Sequence, residues 1–192
     1  PVISAFLAAY PNINIKLVQS DRLVDFTEDH IDVAIRIGAL PDSNMIAAKL
    51  GEVRQVVCGS PAYFAERPAP TAPAELSRHD CITFERLNDA QHWTFQAGKT
   101  VITAPVRSRL VVNTAEAAID AAIAGIGITR VLSYQAANAV RMGKLALALT
   151  DLEPSPSPAN LVYAGRKRMP IKLRAFLDFA APRLRESLSS LQ

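Results

Sequence analysis

The sequence predicts a two-lobed α/β protein, on three observations. Strand-like apolar runs alternate with a helix-like stretch over residues 13–37, a strand, helix, strand series that argues for a parallel sheet covered on both faces. A second helix, glycine turn, strand, helix, strand series follows over 113–149. Two proline-marked crossings, near residues 59 and 159, suggest that the chain leaves a first lobe, builds a second and returns. That arrangement leaves a cleft between lobes, where strand ends and helix starts converge and small ligands bind.

The elements follow in order. Residues 1–10 place Ile3, Phe6, Leu7 and Tyr10 on one helical face. "INIKLVQ" (13–19) alternates and is rich in Ile and Val, as a strand should be. Over 20–30, Ser20 or Asp21 is an N-cap for a short helix carrying Leu23, Val24 and Phe26. "IDVAIRI" (31–37) is the next strand, and Arg36 interrupts its apolar run. The text over 46–60 holds two strand-like halves broken at Gly51. Pro61, Pro68, Pro70 and Pro73 then cut the chain into short turns. Four short strands are predicted over 80–112. After the prolines of 153–160 come "LVYAG", a strand, and a long terminal helix. Leu173, Leu177, Ala180, Leu184, Leu188 and Leu191 form its apolar stripe, with a kink or break expected near residue 178 ahead of Pro182.

Composition narrows the function classes. The chain has 192 residues, 49% of them hydrophobic and 20% charged, with a net charge of +3, as an ordinary globular domain has. No run approaches the roughly 18 consecutive apolar residues of a membrane helix, and no secretory signal opens the chain. A cytoplasmic protein with no membrane partner is therefore expected. Pro1 stands where a complete protein has methionine, so a fragment of a longer protein is expected. Cys58 and Cys81 lack zinc-site or disulfide-scaffold spacing and read as reduced core thiols. The basic run over 166–174 reads as a solvated face rather than a nucleic-acid contact.

No enzyme is predicted. His30, His79 and His92 are scattered without metal-ligand spacing. Ser60 lacks the frame of a nucleophile elbow, and Pro61 after it suits a capping serine and a first helical residue. "GIGITR" has only part of a dinucleotide fingerprint and follows a helix, so no cofactor is expected. Binding features remain. Asn113 stands three residues before Glu116, a capping-box spacing whose helix start is either an anion site or a plain cap. Gly125 reads as a helix C-cap. The Arg36 guanidinium needs a partner, either Asp32 or Asp42, or a small external anion.

Three long stretches, 32–84, "GIGITRVLSYQAA" (125–137) and "LVYAGRKRMPIKLRAFLDF" (161–179), strongly resemble the effector-binding domain of LysR-type transcriptional regulators, in order and over essentially the whole chain. The resemblance implies a fold like the type 2 periplasmic binding proteins, with mixed, mostly parallel sheets. It implies a first lobe of 1–58 plus 160–192 and a second of 59–159. It also implies a small-molecule effector in the cleft, a homodimer or homotetramer, and DNA contact only through a winged helix-turn-helix domain ahead of this fragment. Effector contacts are implied at Ser20, Asp21, Arg36, Ile37, Gly38, Asn113, Thr114, Gly127, Ile128 and Thr129. The family's opening strand and its Ser/Thr-bearing turn are missing here. A transporter's solute-binding protein, which shares the lobed fold, is the rival reading.

Overall fold

The computed structural model describes residues 2–19, 26, 30–40, 45–165 and 168–189. The chain divides into two compact units, 1–53 with 157–192, and 54–156. These divisions fall a few residues before the proline-marked positions. Strand pairing decides this: β3 (Gln55–Gly59) is laddered to strands of the second unit, and β10 (Ser157–Ala164) already belongs to the first.

The first unit holds a three-stranded sheet in the order β1 (Val33–Ile37), β10, β2 (Met45–Val53). Both pairings are antiparallel, where a parallel sheet was expected. The apolar run of β1 does not mark burial on both faces, since Ile35 is 55% exposed at the sheet edge, whereas the central β10 is buried on both from Ala159 to Val162. Density carries no information on direction. The expected break at Gly51 is also displaced. β2 runs through Gly51, where a Cβ would sit 3.4 Å from Leu188 Cβ, and the interruption comes at Arg54.

Residues 13–19 form no strand. An alternating pattern favours extended backbone, but a strand needs a neighbour to take its hydrogen bonds, and Leu17 and Val18 stay 61% and 50% exposed. The helix expected over 20–30 lies largely outside the described residues.

Helix α1 (Val2–Ala9) buries Phe6 completely. The Phe6 ring meets Phe176 and Phe179 of α5 (Ile171–Ser189) edge-on at 5.1 and 5.4 Å, an arrangement aromatic quadrupoles favour. α5 continues through Pro182 rather than ending before it. Proline removes one N–H to the Asp178 carbonyl, and both residues are exposed, so that carbonyl faces solvent.

The second unit is built on a five-stranded sheet in the order β7 (Arg107–Val112), β4 (Asp80–Phe84), β8 (Ile128–Leu132), β3, β9 (Ala146–Ala148). β4 is parallel to both β7 and β8, whereas β3 is antiparallel to β8 and β9. Val56, Cys58, Ile82 and Val131 pack against helices α3 (Ala115–Ile123) and α4 (Ser133–Arg141). Val57, Cys81 and Ile128 face the other way, against Trp93, Phe95 and Ala104 of the β5–β6 hairpin (His92–Ala97, Thr100–Pro105). Helix α2 (Pro61–Glu66) starts at Ser60, whose hydroxyl accepts from the Tyr63 N–H. Burial pushes the Cys58 and Cys81 thiols up to about 12, so both remain protonated core groups.

Candidate effector site

In the first unit, β1 carries Ala34 and Arg36 on one face and Val33, Ile35 and Ile37 on the other, because side chains alternate along a strand. Arg36 and Ile37 therefore cannot both turn their side chains to one ligand. Arg36 stands opposite Asn160 of β10 and is half-buried. Among the described residues it has neither a hydrogen bond nor an ion pair; Asp32 is exposed and does not meet it. Asp42 lies outside the described residues, as do Ser20 and Asp21. Gly38 ends the strand at φ +106, a conformation that suits glycine, and its N–H donates to the Pro158 carbonyl at 2.9 Å.

In the second unit, Asn113 and Thr114 are exposed where β7 ends and α3 begins. The N-cap is Thr114, whose hydroxyl accepts from the Ala117 N–H at 3.3 Å; the cap falls one residue after Asn113, and with alanine at the third helical position no capping box forms. Extended backbone at Thr114 puts Asn113 outside the helix and Glu116 inside its first turn, where a carboxylate suits the helix dipole.

Gly127, Ile128 and Thr129 lie at the opposite end of this sheet. In register, Val112 is level with Phe84 at the end of β4, whereas Ile128 is level with Cys81 near its start. At about 3.3 Å per residue the two sets are separated by roughly 10 Å or more along the strands. Ile128 and Thr129 are fully buried, and Thr129 Oγ1 donates to the Ile82 carbonyl. A Cβ on Gly127 would stand 2.1 Å from the Asp80 carbonyl oxygen, so glycine is required for packing. Of the implied contacts in this unit, only Asn113 and Thr114 present side chains at the surface. Gly125 does act as a helix cap: at φ +77 its N–H meets Ala122 O, and Ile126 N–H reaches back to Ala121 O.

Two features had no signal in the sequence. The chain enters this unit at Arg54, whose guanidinium meets Glu153, near the exit, at 3.0 and 3.3 Å. Arg54 and Ser133 also exchange hydrogen bonds, through Ser133 N–H to Arg54 O and Arg54 N–H to Ser133 Oγ. The entry lies at the end of the sheet where β7 and β8 finish, the end that also carries Asn113 and Thr114. Burial raises the Glu153 carboxyl above its ordinary range, partly countered by Arg54. The second feature is Arg130, buried on β8 with its guanidinium over the Trp93 and Phe95 rings. Neither partner pair could be found by local spacing, since each joins residues far apart in sequence.

Ser60 is committed to its cap and is buried, so it is no exposed nucleophile. Among the described residues no group of three or more His, Cys, Asp or Glu could hold a metal ion, and no helix is long and apolar enough to cross a membrane.

Two α/β units built by one chain that crosses out and back define a two-part binding-domain architecture. Residues 1–185 match the family model described as the LysR substrate binding domain, and the chain belongs to that family. It is 29% identical over 177 residues to the transcriptional regulator PtxR of Pseudomonas aeruginosa, covering 92% of this chain and 57% of that protein. It is 31% identical over 188 residues to a helix-turn-helix-type regulator of Xanthomonas campestris, covering 96% of this chain and 55% of that protein. The chain thus spans little more than half the length of these relatives. Among solved structures, the regulatory domain of AphB from Vibrio vulnificus aligns with a TM-score of 0.81 at 29% identity, over 95% of this chain and 90% of that one. The CrgA regulatory domain of Neisseria meningitidis gives 0.82 at 28% identity, over 96% and 90%. These relatives are named as regulators, not as enzymes or transporter components.

Proposed function

We propose that this chain is the sensor of a LysR-type transcriptional regulator, binding a small organic anion between its two units. The bound effector shifts the population of lobe arrangements by its differential affinity for them, about 1.4 kcal/mol for each factor of ten. A homodimer or homotetramer passes that shift to winged helix-turn-helix domains, which contact DNA in the longer protein. Such a protein works in the cytoplasm.

The observation that carries the anionic reading is Arg36. It is a half-buried guanidinium with no acceptor among the described residues, on the strand that Gly38 ends. A planar donor fork in that setting suits a carboxylate. Asn113 and Thr114, exposed at a helix start, supply further polar contacts. A panel of small organic acids in a thermal-shift assay tests this. At about 100 times its dissociation constant an effector stabilises by about 2.7 kcal/mol, or roughly 5–11 °C for a chain of this size. Arg36→Ala should abolish that shift; an unchanged shift would make Arg36 structural.

A further inference from the structure

Register sets a polar row across the first sheet. Arg36 of β1 stands opposite Asn160 of β10, and Asn160 stands opposite Lys49 of β2. Residues directly opposite in antiparallel strands share a face, with Cβ atoms about 4.5–5.5 Å apart. All three side chains therefore lie on one face, beside a row of Ala34, Val162 and Ala47 that offers no polar side-chain atom. Asn160 is three residues into β10 from Ser157, which pairs with Val53 where the chain crosses to the second unit.

Helix α5 packs on the other face. Gly51 pairs with Ala159, and a Cβ on Gly51 would stand 3.4 Å from Leu188 Cβ, so Leu188 lies over the face that carries Ala159 and Leu161. Alternation along β10 turns Asn160 away from that helix, to the side of Arg36.

The three polar groups of the row differ in how they are satisfied. Lys49 is exposed, and its Nζ meets Glu52 Oε1 at 2.8 Å. Asn160 is only 8% exposed, yet among the described residues its amide makes no hydrogen bond, and neither does the Arg36 guanidinium. Buried polar side chains nearly always have a partner, because one left without pays its full loss of hydration. The next two residues of β10, Leu161 and Val162, are buried aliphatics, so an amide at 160 is not what the centre of this sheet needs for packing. Side by side, the two unmatched groups present a cationic donor fork and an amide that both donates and accepts.

We propose that Asn160 is a specificity residue of the effector site and that the effector is a hydroxycarboxylate, with its carboxylate on Arg36 and its α- or β-hydroxyl on Asn160. This rests on the carboxylate reading of Arg36 and adds the group that tells one small acid from another. A hydroxyl donates to the Asn160 Oδ1 and accepts from its Nδ2 hydrogens, so it satisfies both ends of the amide. A keto group leaves the oxygen unmet, and an ammonium leaves the nitrogen unmet and sits beside the Arg36 charge.

The test is a calorimetric titration of the 192-residue chain with matched acids: lactate against propionate, malate against succinate, and β-hydroxybutyrate against butyrate, with alanine and pyruvate as the amino and keto counterparts of lactate. At least one hydroxy acid should bind about tenfold or more tightly than its partner without the hydroxyl. Asn160→Ala and the volume-conserving Asn160→Leu should bring that ratio down to about one, whereas Arg36→Ala should remove binding of both members. Asn160→Leu should also melt no lower than the parent, since it removes an unmatched amide; a melt several degrees lower would make Asn160 structural and overturn the proposal. Acids that need Arg36 but bind equally with and without the hydroxyl overturn this proposal alone, as does a preference that survives Asn160→Leu. If no acid binds, or if binding survives Arg36→Ala, the carboxylate reading of Arg36 falls and this proposal falls with it.

Discussion

Replacing Arg130 should destabilise the second unit by several kcal/mol, and the parts of that figure are visible around the side chain. The residue is 5% exposed. Its Nε donates to Asn88 Oδ1 at 2.5 Å and its Nη1 to the Thr94 carbonyl at 2.6 Å. Hydrogen bonds from a charged donor contribute about 1.5–3 kcal/mol each. The Trp93 and Phe95 ring centroids, 5.5 and 5.6 Å from the guanidinium carbon, add about 1–2 kcal/mol together. Against this stands desolvation, which lowers the pKa from 12.5 to about 10, equivalent to about 3 kcal/mol. The net contribution is then about 3 kcal/mol. Arg130→Met keeps the bulk of the stem, removes the buried charge and orphans two acceptors, so it should cost about that much. Arg130→Ala adds a cavity and should cost about 4–5 kcal/mol. Trp93 is the chain's single tryptophan and packs on this residue, so its fluorescence reports unfolding of this unit during a urea titration. A midpoint about 1–2 M lower is expected for Arg130→Met. A Met variant as stable as the parent would refute the reasoning, showing that burial of the cation cancels its contacts.

Gly127→Ala should cost more than about 3 kcal/mol or prevent folding, because the new methyl group meets backbone at the Asp80 carbonyl; a normal circular-dichroism melt would contradict this. Thr114→Ala should cost about 1 kcal/mol by loss of the N-cap while Asn113→Ala costs little, and the reverse order in chemical denaturation would restore Asn113 as the cap. The raised Glu153 pKa means that the folded state holds this proton more readily than the unfolded chain. Its contribution is therefore full below about 4.5 and is lost as pH rises through the folded-state value. Glu153→Gln should flatten that part of the stability profile; a parent-minus-variant difference that stays constant from about pH 4.5 upward would show that the group does not titrate differently on folding.

Periodicity and caps made much of this fold legible. Ser60–Pro61 announced a helix, and so did the leucine stripe from Leu173 to Leu188; both patterns act within a few residues of themselves. Strand density over 80–112 likewise located β4 to β7. The site was less legible. Arg36 stood out because a cation in an apolar strand is costly, yet nothing local told which acceptors surround it. Gly127 to Thr129 looked like a ligand loop, whereas register placed them in the core at the far end of the sheet from Asn113.

By itself, the amino-acid order determined the α/β class, the alternation of elements and the family, since these depend on short-range patterns and on long matched motifs. Only the tertiary structure decided strand direction in the first sheet, the absence of a ladder at 13–19, the Arg54–Glu153 and Arg130–Asn88 pairings, and the His79 nitrogen left without a partner. The reason is physical. A strand's direction and a buried polar group's partner are set by residues that approach through space, and their separation along the chain leaves no periodic trace.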